Sequence, residues 1–77
     1  MGRKKTLYTK AMASLFILYS LFNNRINTID YFVQELYCSE RQVRRYISEI
    51  NLVFCEFHLN IEIKYKRINK TFVIESI

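Results

Sequence analysis

Proline and tryptophan are absent from this chain, and Gly2 is the only glycine among its 77 residues. Without glycine-rich turns there is no loop whose backbone amides close around a phosphate, so nucleotide-binding fingerprints are excluded. Turns must instead be made by asparagine or by side chains held in uncommon backbone conformations. Histidine occurs only as His58 and cysteine only as Cys38 and Cys55, too few for a tetrahedral metal set. No nucleophile sits beside a base and no carboxylates pair at a useful spacing, so an enzyme is not expected, nor any cofactor, metal or small-molecule ligand.

Acidic residues are also scarce, 7 against 12 basic ones, for a formal net charge of +5. The basic residues cluster at Arg3, Lys4 and Lys5, at Arg41, Arg44 and Arg45, and at Lys64, Lys66, Arg67 and Lys70. Clustering of this kind is the electrostatic footprint of a polyanionic partner. Apolar residues make up 51% and aromatic ones 16%, enough for a packed core and too much for disorder. One domain over residues 1–77 is expected, small enough that burial between two copies adds useful stability.

The stretch from Cys38 to Ile47 organises the rest. Ser39 followed by Gln42 is a capping box, with Cys38 and Val43 placed as the hydrophobic staple around it. Val43, Ile47, Ile50, Phe54 and Phe57 recur at spacings of three and four, so a helix over 39–57 turns this stripe to the core. Arg41, Arg44, Arg45 and Ser48 then project to the other side. Three arginines at a helix amino end have the wrong sign for its dipole, so they serve an external anion rather than the helix. Upstream, Thr28 caps a shorter helix with Ile29, Phe32, Val33 and Leu36 on its apolar face. Only a couple of residues separate the two helices, which makes a helix-turn-helix.

After Phe57 the period changes from helical to alternating. Ile61, Ile63 and Tyr65 oppose Glu62, Lys64 and Lys66, and Phe72 and Ile74 alternate with Thr71, Val73 and Glu75, giving a hairpin closed through Arg67-Ile68-Asn69-Lys70. Asn69 is the turn residue most tolerant of positive φ. The bland reading of the hairpin lysines is that they keep an edge strand from pairing.

The segment 1–22 combines basic residues with an apolar run, as secretory signals do. No small-residue cleavage site follows, and the run is too short to cross a membrane, so a helix over 6–22 is expected instead, with no membrane partner. Leu7, Ala11, Leu15, Leu18 and Phe22 form its core face, while Tyr8, Met12, Phe16 and Tyr19 form a second apolar row. That row is either the edge of a wide core face or the interface of a homodimer. Asn23 and Asn24 stop the helix, and Arg25-Ile26-Asn27 is a candidate short strand. Cys38 and Cys55 lie about 25 Å apart along one helix and cannot bridge, so reduced thiols and a cytoplasmic location are expected.

Residues 32–47, FVQELYCSERQVRRYI, resemble the DNA-binding segment of the DeoR and Mga types of bacterial winged-helix regulators, whose pattern runs roughly L-A-E-E-L-G-V-S-E-R-T-I-R-R-D-I. Glu35, Leu36, Ser39, Glu40, Arg41, Val43, Arg44, Arg45 and Ile47 match it or its close variants, and the long third helix is more similar to the Mga type. Tyr37 stands where the pattern has a turn glycine or asparagine, which requires a left-handed tyrosine. Gln42 and Tyr46 replace the usual threonine and aspartate, which bears on base preference rather than fold.

The resemblance implies an α+β, mostly α winged helix-turn-helix: three helices followed by a two-stranded β-hairpin wing. It implies a sequence-specific double-stranded DNA-binding protein, a small transcriptional regulator or a mobile-element accessory protein, acting as a homodimer at the nucleoid. Arg41, Gln42, Arg44, Arg45 and Ser48 then face the major groove. Thr28 and Tyr37 flank it, Lys64, Lys66, Arg67 and Lys70 form the wing, and Arg3, Lys4 and Lys5 make a flexible arm over residues 1–5. The alternative is the same fold as a protein-binding module, a phage or plasmid antagonist of a host protein.

Overall fold

A computed structural model describes residues 9–23 and 26–77. Three helices are followed by an antiparallel hairpin: α1 (Lys10–Phe22), α2 (Ile29–Leu36), α3 (Glu40–Glu56), β1 (Ile61–Lys66) and β2 (Thr71–Ser76). The expected α+β winged helix-turn-helix is the observed architecture.

Each helix starts on a hydroxyl cap. Thr9, Thr28 and Ser39 are extended, and each accepts the backbone N–H three residues on, at 3.1 Å in all three cases. This satisfies one of the amides that a helix start leaves without a partner. For α3 only the Ser39 half of the capping box forms among the described residues, so the Gln42 carboxamide is not consumed by it. The first helix begins at Lys10 behind a Thr9 cap rather than at Thr6. Leu7 and Tyr8 lie outside the described residues, as do Arg3, Lys4, Lys5, Asn24 and Arg25.

The core is Ala13, Ile17 and Leu21 of α1, Ile29, Phe32 and Leu36 of α2, Val43, Ile47, Ile50 and Phe54 of α3, and Ile63 and Phe72 of the hairpin. Phe32 sits at its centre. Its ring meets Phe16 edge-on at 6.2 Å, Tyr31 at 5.6 Å and Phe72 at 6.1 Å, and Phe72 meets Tyr65 at 5.0 Å. Offset and edge contacts at these separations favour the ring quadrupoles, so one aromatic chain ties α1 to α2 and to both strands.

The expected inner face of α1 is corrected. Leu15 and Phe22 are exposed, 66% and 62%, and Ala11 is exposed as well, while Leu18 is half-buried against the core. The helix is turned so that Ala13, Ile17 and Leu21 point inward together with Ser20. Ser20 is fully buried because its hydroxyl donates to Asn27 Oδ1 at 2.6 Å, fastening α1 to the segment before α2. Phe16 belongs to the core wall, whereas Met12 and Tyr19 are exposed.

Two further expectations shift at chain reversals. Phe57 is 70% exposed, because the helix ends there in a Schellman motif. His58 takes φ 56°, its N–H donates to the Cys55 carbonyl at 3.1 Å, and the Leu59 N–H donates to the Phe54 carbonyl at 3.0 Å. In the hairpin turn it is Lys70, not Asn69, that has positive φ, 56°. Tyr37 is left-handed as expected, at φ 54° and ψ 47°.

Each outer edge of the two-stranded sheet is engaged at one place. On the β2 side, Phe72 N–H donates to the Asn27 carbonyl at 2.9 Å and Ile29 N–H to the Lys70 carbonyl at 3.0 Å, around a single bridge between Thr28 and Thr71. Of the strand expected over 25–27, Arg25 lies outside the described residues and Ile26 and Asn27 form no strand; the bridge falls one residue later, at Thr28. On the β1 side, Asn51 of α3 acts as a stand-in peptide. Its Nδ2 donates to the Ile63 carbonyl at 3.1 Å and its Oδ1 accepts the Ile63 N–H at 2.8 Å. Unpaired strand edges invite pairing with other chains, and here the protein itself interrupts each edge, at Thr71 and Phe72 on β2 and at Ile63 on β1.

Candidate nucleic-acid interface

The first two turns of α3 carry the site. With Val43 and Ile47 locked in the core, helical geometry turns Arg41, Arg44, Arg45 and Ser48 to solvent, and all four are exposed. Together with Glu49 they line a shallow depression of about 440 Å³. Glu49 closes its far side and pairs with Lys10 of α1 at 3.3 Å. Arg41 and Arg45 have no partner among the described residues. Arg44 is held: its Nη1 lies 3.4 Å from Glu40 Oε1, one helical turn back, and its guanidinium sits 5.5 Å from the centre of the Tyr65 ring. A cation over an aromatic face is attracted by the ring quadrupole, so Arg44 is pre-positioned between helix and wing.

That contact and the Asn51 pair fix how α3 and β1 lie. Arg44 meets Tyr65 while Asn51, about 10 Å further along the helix, meets Ile63. Helix and strand therefore run in opposite senses, and the turn 67–70 emerges at the same end of the molecule as Arg41, Arg44 and Arg45. Lys64, Lys66, Arg67 and Lys70 are exposed on this ribbon. Lys66 Nζ lies 2.7 Å from Glu75 Oε2, and its hydrogen bond and charge, with a smaller contribution from Lys64, hold the Glu75 carboxyl below the usual carboxylate range.

The remaining sequence-predicted positions are less open. Thr28 is half-buried and its hydroxyl is engaged as the α2 cap. Tyr37, also half-buried, makes the bend between α2 and α3, its N–H donating to the Val33 carbonyl. Gln42 is half-buried beside the arginines with its carboxamide unengaged among the described residues. Cys38 packs against the core next to the Ser39 cap, and burial pushes its thiol pKa up, which favours the neutral form. Both cysteines are free thiols.

Sequence patterning gave no functional weight to Glu40, Tyr65, Asn51 or Glu75. The spacing of Glu40 and Arg44, four apart on a helix, was the available signal for one of these contacts. Tyr65 and Asn51 act between a helix and the strand that folds back along it, and the periodicity of either element alone holds no information on that contact.

A family model described as the Mga helix-turn-helix domain matches residues 5–71. The chain belongs to that family. No curated protein and no solved structure matches it. Membership in the Mga helix-turn-helix family points to DNA and to a regulator-like, non-enzymatic role. No helix among the described residues is long and apolar enough to cross a membrane.

Proposed function

We propose that this Mga-type domain is a sequence-specific double-stranded DNA-binding protein, a small regulator or DNA-binding accessory protein, acting as a homodimer. In this reading α3 enters the major groove by its first two turns, and the hairpin wing follows the adjacent backbone or minor groove. The observation that supports it is that the wing turn 67–70 lies at the same end of the molecule as the arginines of α3, tied to it through Arg44 and Tyr65 and through Asn51 and Ile63. One duplex face can meet both.

Arg41 and Arg45 are the cations best placed for direct contact, since no protein partner among the described residues competes for them. Arginine pairs bidentately with guanine, and the unengaged Gln42 carboxamide has the donor and acceptor to match adenine. Lys64, Arg67 and Lys70 take phosphates, which set register without reading sequence. Arg3, Lys4 and Lys5 extend this charge as an arm, and Thr28 and Tyr37 lie beside the groove rather than within it. The domain assignment to residues 1–77 follows the same reading.

Fluorescence anisotropy with a labelled duplex across salt concentrations tests the proposal. About four neutralised phosphates give a log-log slope near 3.6, roughly a hundredfold loss of affinity between about 50 and 200 mM salt. Affinity that stays flat over that range rejects the reading. Sequences recovered from a random duplex pool then define the target. A partner that is retained from lysate after nuclease treatment, with no duplex bound, favours the protein-binding alternative.

A further inference from the structure

Ile68 stands at the tip of the hairpin, 100% exposed, between Arg67 and the Asn69-Lys70 pair. Turn tips favour residues that supply positive φ or a local hydrogen bond, and isoleucine supplies neither. It contributes nothing to the hydrophobic cluster. A single exposed aliphatic residue on a surface is commonplace. This one differs in its mounting. The Lys70 carbonyl is held by Ile29 N–H at 3.0 Å, Thr71 is bridged to Thr28, and Thr71 Oγ1 donates to the Asn69 carbonyl at 3.1 Å. On the other strand, Tyr65 lies against Arg44 and Ile63 is gripped by Asn51. The tip is thus fixed relative to α2 and α3 and points from the end of the molecule that bears the arginines.

A stiff, apolar side chain on a rigid cationic tip has the chemistry of a wedge that enters the minor groove. Isoleucine is restricted at χ1, so little side-chain freedom is lost when it is clamped. Proteins that bend DNA insert such residues between base pairs and offset the unstacking with the extra surface that the bent duplex brings into contact. We infer that Ile68 is a minor-groove wedge that partly unstacks one base step and bends the duplex, while Arg67 and Lys70 hold the flanking phosphates. The inference rests on the DNA-binding reading and adds a deformation of the DNA to it. Its preferred site is a pyrimidine–purine step such as TpA, which is the easiest to unstack.

The test uses a duplex of about 30 base pairs with dyes at both ends and 2-aminopurine at a central TpA step, saturated with the full chain at low salt. The wild-type protein brings the ends together by an amount equal to a bend of about 20–90° and raises the 2-aminopurine fluorescence. Ile68→Ser, which touches no core residue, binds with the same salt slope because every cation remains, but leaves the duplex straight and the probe quenched. Ile68→Leu restores both signals. A duplex that the wild type binds without bending, or that Ile68→Ser bends equally, overturns the wedge and leaves the DNA-binding reading standing. Failure of the wild type to bind the duplex at all overturns both.

Discussion

Two carboxylates hold two of the cations proposed to meet DNA. Glu40 lies 3.4 Å from Arg44 and Glu75 lies 2.7 Å from Lys66, so both cations must exchange a protein carboxylate for a phosphate or a base edge. Exposed pairs of this kind are weak, because solvent screens them. Their cost to unspecific binding is correspondingly modest but measurable. Glu40→Gln is expected to raise affinity for random duplex by up to about fivefold, while the preference for a selected target falls; unchanged affinity for random duplex shows that Arg44 takes no part. The Glu75 pair also makes a stability prediction. Because Lys66 lowers the carboxyl pKa in the folded state, the stabilisation is complete above the unfolded pKa and is lost as pH falls through the lower, folded value. Thermal unfolding between about pH 6 and pH 2 should therefore show a shallower acid-side decline for Glu75→Gln than for wild type. Identical declines exclude the pair as a contributor.

Two helices end in left-handed residues other than glycine, Tyr37 after α2 and His58 after α3. His58 occupies φ 56° at the end of α3 with its side chain exposed, a position where glycine avoids the Cβ clash that costs about 1–2 kcal/mol. His58→Gly should raise the midpoint of thermal unfolding by about 4–8 °C per kcal/mol recovered; an unchanged or lower midpoint means that the imidazole contributes as much as the backbone loses. The same change at Tyr37 is not equivalent, because Tyr37 is half-buried in the bend between α2 and α3. The chain announces its helices and strands unequally. Both α2 and α3 alternate apolar and polar residues at helical spacing, so their caps, inner faces and the arginine surface are legible in the sequence. The α1 sequence, KAMASLFILYSLF, is apolar nearly all the way round, so no polar face dictates its rotation. Its orientation is decided by Ser20 meeting Asn27 and by Phe16 meeting Phe32, contacts across the loop that helical periodicity does not encode. Phe57 fits the α3 stripe equally well, and only the reversal at His58 takes it out of the core. The Asn51 pair with Ile63 was hidden for a related reason: asparagine in mid-helix reads as surface until a strand edge is laid beside it.

Among the described residues, the rotation of α1 leaves an exposed apolar seam. Met12, Leu15, Tyr19 and Phe22 are exposed, 49%, 66%, 55% and 62%, at successive spacings of three, four and three. That is the a and d pattern of two helices packed against each other, and a domain of this size gains more than a large one from covering such a surface. The seam differs from the row expected from sequence, since Phe16 has gone into the core and Leu15 and Phe22 have come out of it. If α1 pairs with α1 of a second copy, the two α3 helices are related by a twofold axis. They then meet two half-sites about 34–36 Å apart on one face of the duplex, or a multiple of that spacing. Sedimentation equilibrium should find a dimer of the wild type, and Leu15→Glu should give a monomer with unchanged far-ultraviolet circular dichroism, because the side chain it replaces is outside the core. The monomer should still bind a single half-site with the same salt slope, while losing the steep gain in affinity that a two-half-site duplex gives the wild type. A wild type that stays monomeric at tens of micromolar concentration, or a Leu15→Glu variant that remains dimeric, removes α1 as the interface.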